Sequence, residues 1–322
     1  MLPKPKCPVI ALEEHYWDQE LAAQFVGGEG VRDADMLKRL YDLGELRLRE
    51  MDEAGIDMQV ISHGAPSAQK LSGADAVELT RRVNDRLHAA VQVNPKRFAA
   101  FAALPTSDPK AAADELERTT KLGFKGPMIH GLANGAFLDD KRFWPIYERA
   151  EALGLPLGIH VGGYGGHAPT GGGWPSYYCE EHHSNAHTMA AQLASLVIEG
   201  IPERFPKLKI VFIEGGFGWI ASAIWRMDRH FERFRSEVPH LKRRPSEYVR
   251  EHFWFTTQPI DEPDEARHLR SLIEWVGVDR LLFSSDYPHW DFDDPRFAFK
   301  TPLSETERRK IFSGNARALY RL

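Results

Sequence analysis

A glutamate and a histidine stand two residues apart near the start of the chain, as Glu13 and His15. They follow the apolar run at residues 9–12, which predicts a buried strand. Because residues i and i+2 of a strand point to the same face, Glu13 and His15 are expected to converge while Glu14 faces the other way. A carboxylate and an imidazole that converge at a strand end suit a divalent metal ion. A salt-bridged pair at a strand end is the alternative interpretation.

Further polar residues follow later apolar runs. His160 comes directly after Leu157-Gly158-Ile159, and Asp286 comes after Phe283-Ser284-Ser285. A lone histidine or aspartate at such a place is more often scaffold or a turn cap. Two carboxylates and two imidazoles come together in the combined set, Glu13, His15, His160 and Asp286. Such a set suits Zn²⁺, Mn²⁺ or Fe²⁺ with room for water, so we expect a metal site.

A second group of histidines lies in the segment 179–187. On a helix, His183 and His187 would share a face at i, i+4 spacing, whereas His182 would point elsewhere. If Glu214 and one or more of these histidines join the first four ligands, the site would have more ligands than one tetrahedral Zn²⁺ needs. Two metals per chain, for hydrolysis or for iron-based oxygen activation, are then an open alternative. A polar helix start without any ligand is the other interpretation.

The elements that must position these residues are short apolar runs separated by stretches of helical spacing. The runs are residues 9–12, 57–62, 98–104, 126–129, 157–160, 208–213, 253–256 and 280–284. The helical stretches are residues 36–54, 76–94, 109–122, 143–153, 189–203 and 304–319. Eight buried strands alternating with helices favour an α/β fold, a closed (β/α)₈ TIM barrel, over an open doubly wound sheet.

The polar residues named above fall at the carboxyl ends of these strands, where the active sites of such barrels lie. No Gly-x-Gly-x-x-Gly follows the first strand, so nothing favours a dinucleotide fold. We expect one domain over residues 1–322. The segment 161–188 after the fifth strand is predicted to be a long irregular loop, either a lid or pocket wall or a surface loop.

Bulk composition restricts the function classes. The chain has 322 residues, of which 43% are hydrophobic and 27% charged, as in an ordinary globular protein. A formal net charge of -5 argues against nucleic acid as a partner. No apolar run reaches the roughly 18 residues needed to span a membrane. The two cysteines, Cys7 and Cys179, are too few for a disulfide framework and indicate a reducing cytoplasm. A homo-oligomer is left open.

Several segments together resemble the amidohydrolase superfamily, in the branch of metal-dependent aromatic-acid and semialdehyde decarboxylases. The resemblance runs from the first strand to the C-terminal Gly-Asn-Ala-Arg. The matching segments are residues 11–15, 49–57, 153–160, 203–208, 283–289 and 314–317. This resemblance implies that Glu13, His15, His160 and Asp286 are metal ligands. Members of this branch often carry a histidine at the end of strand six, where this chain has Glu214.

Three functions follow from these observations. The first is a metal-dependent decarboxylase or hydrolase of a small organic acid, amide or lactone. Its candidate catalytic residues are Asp286, Glu214 and His160, with Asp286 as ligand and proton carrier together. The second is a dinuclear non-haem iron oxygenase on the same barrel, which Glu214 and the histidines of segment 179–187 motivate. The third is a binding protein without activity, which the nearly complete ligand set disfavours. Aromatic residues near the strand ends are candidates for a pocket lining.

Overall fold

Parallel strands alternate with helices in the computed structural model, which describes residues 5–26, 30–131, 135–162 and 173–322. The strands are β1 (Ile10–Tyr16), β2 (Met58–His63), β3 (Phe98–Ala100), β4 (Met128–His130), β5 (Pro156–His160), β6 (Lys209–Ile213), β7 (Phe253–Thr256) and β8 (Leu281–Leu282).

The helices of the described residues surround these strands. They are α1 (Gln19–Ala22), α2 (Ala34–Tyr41), α3 (Glu45–Ala54), α4 (Ala74–Val93), α5 (Pro109–Lys121), α6 (Trp144–Leu153), α7 (Tyr178–Ile198), α8 (Ile201–Arg204), α9 (Ile220–Arg233), α10 (Pro245–His252), α11 (Ala266–Val276), α12 (Glu305–Arg309) and α13 (Asn315–Tyr320). Short 3₁₀ turns cover Ser67–Lys70, Lys141–Phe143 and Val278–Arg280, and a π turn at Lys310–Gly314 separates α12 from α13.

The strands close into a barrel. β1, β2 and β3 pair in parallel, as do β4 through β8. A parallel bridge between Ala102 and Pro127 connects the segment after β3 to β4. On the other side the Leu12 N–H donates to the Phe283 carbonyl at 3.1 Å, which joins β1 to the segment after β8. The described strands therefore form a (β/α)₈ barrel, and the predicted fold class is confirmed.

Apolar side chains fill the barrel and the layer around it. One buried cluster comprises strand residues and the C-terminal helix α13, namely Ile10, Leu12, Val60, Ala99, Phe101, Met128, Val211, Ile213, Leu282, Ala316, Leu319 and Tyr320. A larger cluster lies between strands and helices. All seven residues of β1 are buried, because the interior lies on one face of the strand and the helical layer on the other. This packing makes the strand ends a rigid base for a site.

The prediction of one continuous helix over residues 36–54 is wrong. The chain forms α2 and α3, separated at Asp42-Leu43-Gly44. The Asp42 carboxylate accepts hydrogen bonds from the Gly44 N–H at 3.1 Å and the Arg47 N–H at 2.9 Å. Those bonds cap the start of α3, so the side chain of Asp42 competes with the backbone for hydrogen bonds and ends α2.

The loop predicted over residues 161–188 is wrong over its last part, because α7 begins at Tyr178. The Glu180 carboxylate accepts hydrogen bonds from the N–H groups of Ser176 and Tyr177, both at 2.9 Å, and stabilises the start of this helix. The predicted helix at residues 189–203 is accordingly the end of α7 followed by α8, with Gly200 at φ 81° between them. Residues 163–172 of the predicted loop lie outside the described residues.

Two further expectations concern domain number and membranes. The prediction of one domain over residues 1–322 stays a prediction. Within the described ranges, every helix is too short or too polar to cross a bilayer.

Candidate metal centre

Four side chains from the ends of β1, β5 and β6 meet at one point. Glu13, His15, His160 and Glu214 each contribute a ligand-type atom, and these atoms all lie within 4.8 Å of one another. The Nε2 atom of His160 lies 3.2 Å from Nε2 of His15. It also lies 2.5 Å from Oε2 of Glu214 and 3.5 Å from Oε1 of Glu13. The structure therefore brings together four of the residues that the sequence singled out.

The backbone around the carboxylates is held in an unusual conformation. A register shift interrupts the pairing of β1 with β2 between Ala11 and Glu14, so the strand bulges where its ligand-type side chains emerge. Three acidic residues have positive φ values, 147° for Glu13, 59° for Glu214 and 61° for Asp286. Such values cost free energy in residues other than glycine and cluster at functional sites. Packing in the barrel therefore imposes the directions in which these carboxylates point.

Hydrogen bonds at the opposite ring nitrogens direct both Nε2 atoms into the site. The Nδ1 atom of His160 lies 2.6 Å from the Val161 carbonyl oxygen, which can only accept, so Nδ1 carries the proton. The Nδ1 atom of His15 lies 3.5 Å from the Ser62 hydroxyl. A histidine that donates from one ring nitrogen in this way presents the lone pair of the other to a metal.

His130, at the end of β4, supports His160 from behind. Its Nε2 donates to the His63 carbonyl at 3.1 Å, which leaves its Nδ1 free to accept from Nδ1 of His160 at 3.1 Å. The Gln69 side chain in turn binds the backbone of His130, donating to its carbonyl at 2.6 Å and accepting from its N–H. His130 therefore positions the imidazole of His160 without entering the site.

The residues present fit a divalent cation. Oε1 of Glu13 is fully buried and has no hydrogen-bond partner among the described residues. Burial raises the pKa of Glu13 well above its usual value, and Asp286 and Glu214 add to this while His160 opposes it. Burial lowers the pKa of His160, but the carboxylates of Glu214 and Glu13 outweigh it and hold that pKa well above its ordinary value. A positive charge among these groups would relieve the buried carboxylates.

Asp286 adjoins this group through His15. Its Oδ1 lies 3.4 Å from Nε2 of His15 and 2.6 Å from Nδ1 of His289. His15, Asp286 and His289 form a second set of ligand-type atoms within 4.8 Å of one another. The sequence reasoning missed His289, although its position three residues after Asp286 was a local signal.

A buried polar network lies behind the site. Glu14 faces away from Glu13 and accepts hydrogen bonds from the Ser285 hydroxyl at 2.8 Å and from Gln59 Nε2 at 2.8 Å. Burial raises the pKa of Glu14 to about 8, against the Ser285 hydrogen bonds and the charge of Arg47, which lower it. The network connects β1, β2 and the segment before Asp286, so it fixes the spacing between the proposed ligands.

The three histidines of α7 lie outside both sets of ligand-type atoms. Nε2 of His182 faces the Asp291 carboxylate at 3.2 Å. His183 and His187 are exposed, and their rings contact each other with centroids 5.1 Å apart. The i, i+4 relationship of His183 and His187 therefore brings the two rings together, as the spacing predicts, but at the helix surface and not in the site.

The site opens into a cavity of about 440 Å³, a size typical of small-molecule sites. Its wall includes His15, His160, Glu214, Asp286 and His289 from the strand ends, and Trp17, Arg32, Met36, Tyr178, Glu181, His182, Trp290 and Asp291 from the surrounding segments. Of the nine aromatic residues proposed from the sequence (Tyr16, Trp17, Trp174, Tyr177, Tyr178, Phe217, Trp219, Tyr287 and Trp290), Trp17, Tyr178 and Trp290 belong to this wall.

The chain matches the family model for amidohydrolases over residues 13–322. A gamma-resorcylate decarboxylase from Polaromonas sp. is 33% identical over 97% of this chain and 98% of the relative. One from Rhodococcus jostii is 32% identical over the same shares.

Comparison with solved structures also finds decarboxylases of aromatic acids. The crystal structure of 5-carboxyvanillate decarboxylase from Sphingomonas paucimobilis superposes with a TM-score of 0.83 at 28% identity, covering 98% of this chain and all of the other. A dihydroxybenzoic acid decarboxylase from Polaromonas sp., solved with manganese and the inhibitor 2-nitroresorcinol, gives 0.81 at 32% identity, covering 98% and 97%. The prediction of a metal-dependent enzyme of this type is confirmed, and the chain belongs to the amidohydrolase family.

Proposed function

We propose that this chain removes the carboxylate of a hydroxylated aromatic acid as CO₂, without oxidation, with the help of one divalent cation. The observation that carries the proposal is the convergence of Glu13, His15, His160 and Glu214 within 4.8 Å at the base of an aromatic-walled cavity. The relatives named above support the reaction class, since they are decarboxylases of aromatic acids.

The ligand set supports one cation per chain. The two sets of ligand-type atoms share His15. A single nitrogen lone pair binds one cation, and Nδ1 of His15 faces Ser62 instead of the site. We therefore propose Glu13, His15, His160 and Glu214 as ligands, without His182, His183 and His187. Two carboxylates, two imidazoles and open positions suit Mn²⁺, the metal in the solved Polaromonas enzyme.

When bound, a divalent cation supplies positive charge that holds an anionic substrate and polarises its oxygen atoms. Trp17, Met36 and Trp290 in the cavity wall provide apolar surface for an aromatic ring.

Asp286 carries the proton in the proposed reaction. Burial raises the pKa of its carboxyl to about 7; the nearby His289 lowers it and Glu214 raises it. The protonated carboxyl gives its proton to the ring carbon that bears the carboxylate, forming a C–H bond. The C–C bond then breaks, its electron pair returns to the ring and CO₂ leaves. His289 contacts Asp286 at 2.6 Å and is 24% exposed, so it can return a proton from solvent.

The experiment is direct assay of the Mn²⁺-loaded protein with 2,6-dihydroxybenzoate and 5-carboxyvanillate, following CO₂ and the decarboxylated phenol. We expect turnover of at least one of these acids, and its loss in His160→Ala. The matched control is His183→Ala, which removes an exposed imidazole outside both ligand sets and should keep full activity. Absence of CO₂ from a panel of hydroxybenzoates with the metal-loaded protein would refute the proposal.

A further inference from the structure

Arg32 occupies a distinctive place in the cavity wall. Among the described residues that line the cavity, it is the one arginine or lysine. Its other charged neighbours there are carboxylates and imidazoles, including Glu181 and Asp291. Arg32 therefore provides a point of permanent positive charge in a wall that is otherwise acidic, because a guanidinium stays protonated at any physiological pH.

The guanidinium of Arg32 rests on a fixed platform. Its Cζ lies 5.0 Å from the centroid of the Trp17 ring, a cation–π distance. Trp17 is 4% exposed, and its backbone N–H donates to the Leu40 carbonyl at 2.9 Å. The Trp17 ring also packs so closely on Gly64 that an added Cβ there would come within 2.9 Å of Trp17 Nε1. The platform is therefore rigid, and it holds the cation at the cavity.

The hydrogen-bonding capacity of Arg32 is mostly unused by the described part of the chain. Nη1 donates to the Val31 carbonyl at 2.7 Å, and no described carboxylate lies within 4.0 Å of the guanidinium. Other arginines, such as Arg86 with Asp18, engage carboxylates in direct ion pairs. Arg32 is half-buried and lines the cavity, and its other N–H groups have no hydrogen-bond acceptor among the described residues. A guanidinium has the fork geometry that binds carboxylates in a bidentate manner.

Arg32 lines the same cavity as His160, Glu214 and His15 of the proposed metal centre. With a divalent cation bound, the metal centre and Arg32 would be two positive points on one cavity. An acid with a single anionic group would bind at the metal centre and leave the guanidinium of Arg32 hydrated. An acid with two anionic groups would bind at both places.

We propose that Arg32 binds a second anionic group of the substrate, so that the preferred substrate is an aromatic acid with a second carboxylate or an equally acidic substituent. This inference rests on the proposed function, which places the first carboxylate at the metal centre. Arg32 then acts as a specificity residue that discriminates between monoanionic and dianionic aromatic acids.

The test measures binding of two unreactive acids, isophthalate (benzene-1,3-dicarboxylate) and benzoate, to the Mn²⁺-loaded protein by calorimetry. We expect the wild type to bind isophthalate at least about 10-fold more tightly, because a charge-assisted hydrogen bond in a partly desolvated site commonly contributes 10-fold or more. Arg32→Gln should abolish this preference and leave benzoate binding unchanged. Arg32→Lys should restore part of it, since the charge remains but the bidentate fork is lost.

Arg226→Gln is the matched control, because Arg226 is exposed on α9 and lies outside the cavity wall. It should keep the wild-type preference, and melting curves with metal analysis should show that each variant is folded and loaded. A wild type that binds isophthalate no more tightly than benzoate, or an Arg32→Gln variant that keeps the preference, would overturn the inference. Failure of the decarboxylase proposal would be distinguishable from this result. It would appear as an absence of CO₂ release, whatever the ratio of the isophthalate and benzoate affinities.

Discussion

The Nε2 atom of His160 and the Oε2 atom of Glu214 lie 2.5 Å apart, so an imidazole from β5 and a carboxylate from the end of β6 face each other directly. Glu214 adds a negative charge to a site that already holds Glu13. A carboxylate in this position is expected to strengthen the attraction for a divalent cation.

The first prediction concerns this carboxylate. Glu214→Gln keeps the shape of the side chain and removes its charge, so we expect the affinity for Mn²⁺ to fall by at least about 10-fold, the scale seen when even supporting groups of metal sites are removed. Competition with a fluorescent chelator measures the affinity. Glu181→Gln removes an exposed cavity carboxylate outside both ligand sets and should bind Mn²⁺ like the wild type. Equal affinities in wild type and Glu214→Gln would contradict the assignment.

The second prediction concerns the network behind the site. Arg47 is fully buried, and donates to the His15 carbonyl at 2.5 Å and to Gln59 Oε1 at 3.2 Å. Arg47→Met should lower the free energy of unfolding by about 3–5 kcal/mol, because it leaves buried acceptors without their charged donor. Arg49→Met on the same helix removes a 66% exposed arginine, 3.8 Å from Glu53, and should cost less than about 1 kcal/mol. Urea denaturation would distinguish them, and similar losses in both would argue against the network.

The third prediction concerns pH. The Nε2 atom of His63 accepts a hydrogen bond from the Asp18 N–H at 3.0 Å, and its Nδ1 donates to the Gly64 carbonyl at 2.9 Å. No ring nitrogen is left for a second proton, and burial, the largest cause, lowers the pKa to about 4. Between pH 6.5 and about 4 the unfolded chain therefore binds a proton at His63 that the folded chain does not. Stability should fall as pH falls through this window, by up to about 3 kcal/mol.

NMR titration of the His63 imidazole is the direct measurement, and it should show a neutral ring at pH 5.5. The loss of unfolding free energy between pH 6.5 and 4 should be smaller in His63→Gln, measured in the presence of a chelator so that metal release does not contribute. A His63 ring that protonates near pH 6.5 in the folded protein would refute this account.

The fourth prediction concerns metal removal. A ligand that binds the folded state alone stabilises it by about 2.7 kcal/mol at 100 times its dissociation constant. Saturating Mn²⁺ should therefore raise the unfolding free energy of the chelator-treated protein by about that amount. The increase should disappear in Glu13→Gln and persist in His187→Ala, whose imidazole is exposed on α7. An increase of equal size in Glu13→Gln would show that Mn²⁺ acts elsewhere.

The amino-acid sequence was sufficient to predict the fold class, and it drew attention to Glu13, His15, His160 and Asp286 at strand ends. Eight apolar runs alternating with helical patterns are local signals, and each depends on residues a few positions apart. The i, i+2 spacing of Glu13 and His15 is equally local, and it correctly predicts that both side chains point to the same side of β1 while Glu14 does not.

Tertiary structure alone decided which of the remaining side chains meet. His182, His183 and His187 offered the same chemistry as His160, but α7 presents them to Asp291 or to solvent. Arg32 gave no pattern in the sequence, and the spacing of His289 from Asp286 did not show that the ring faces the cavity, yet both side chains line it. The physical reason is that convergence of residues tens or hundreds of positions apart depends on barrel closure, strand register and positive-φ turns such as that of Glu214, none of which is encoded in local spacing.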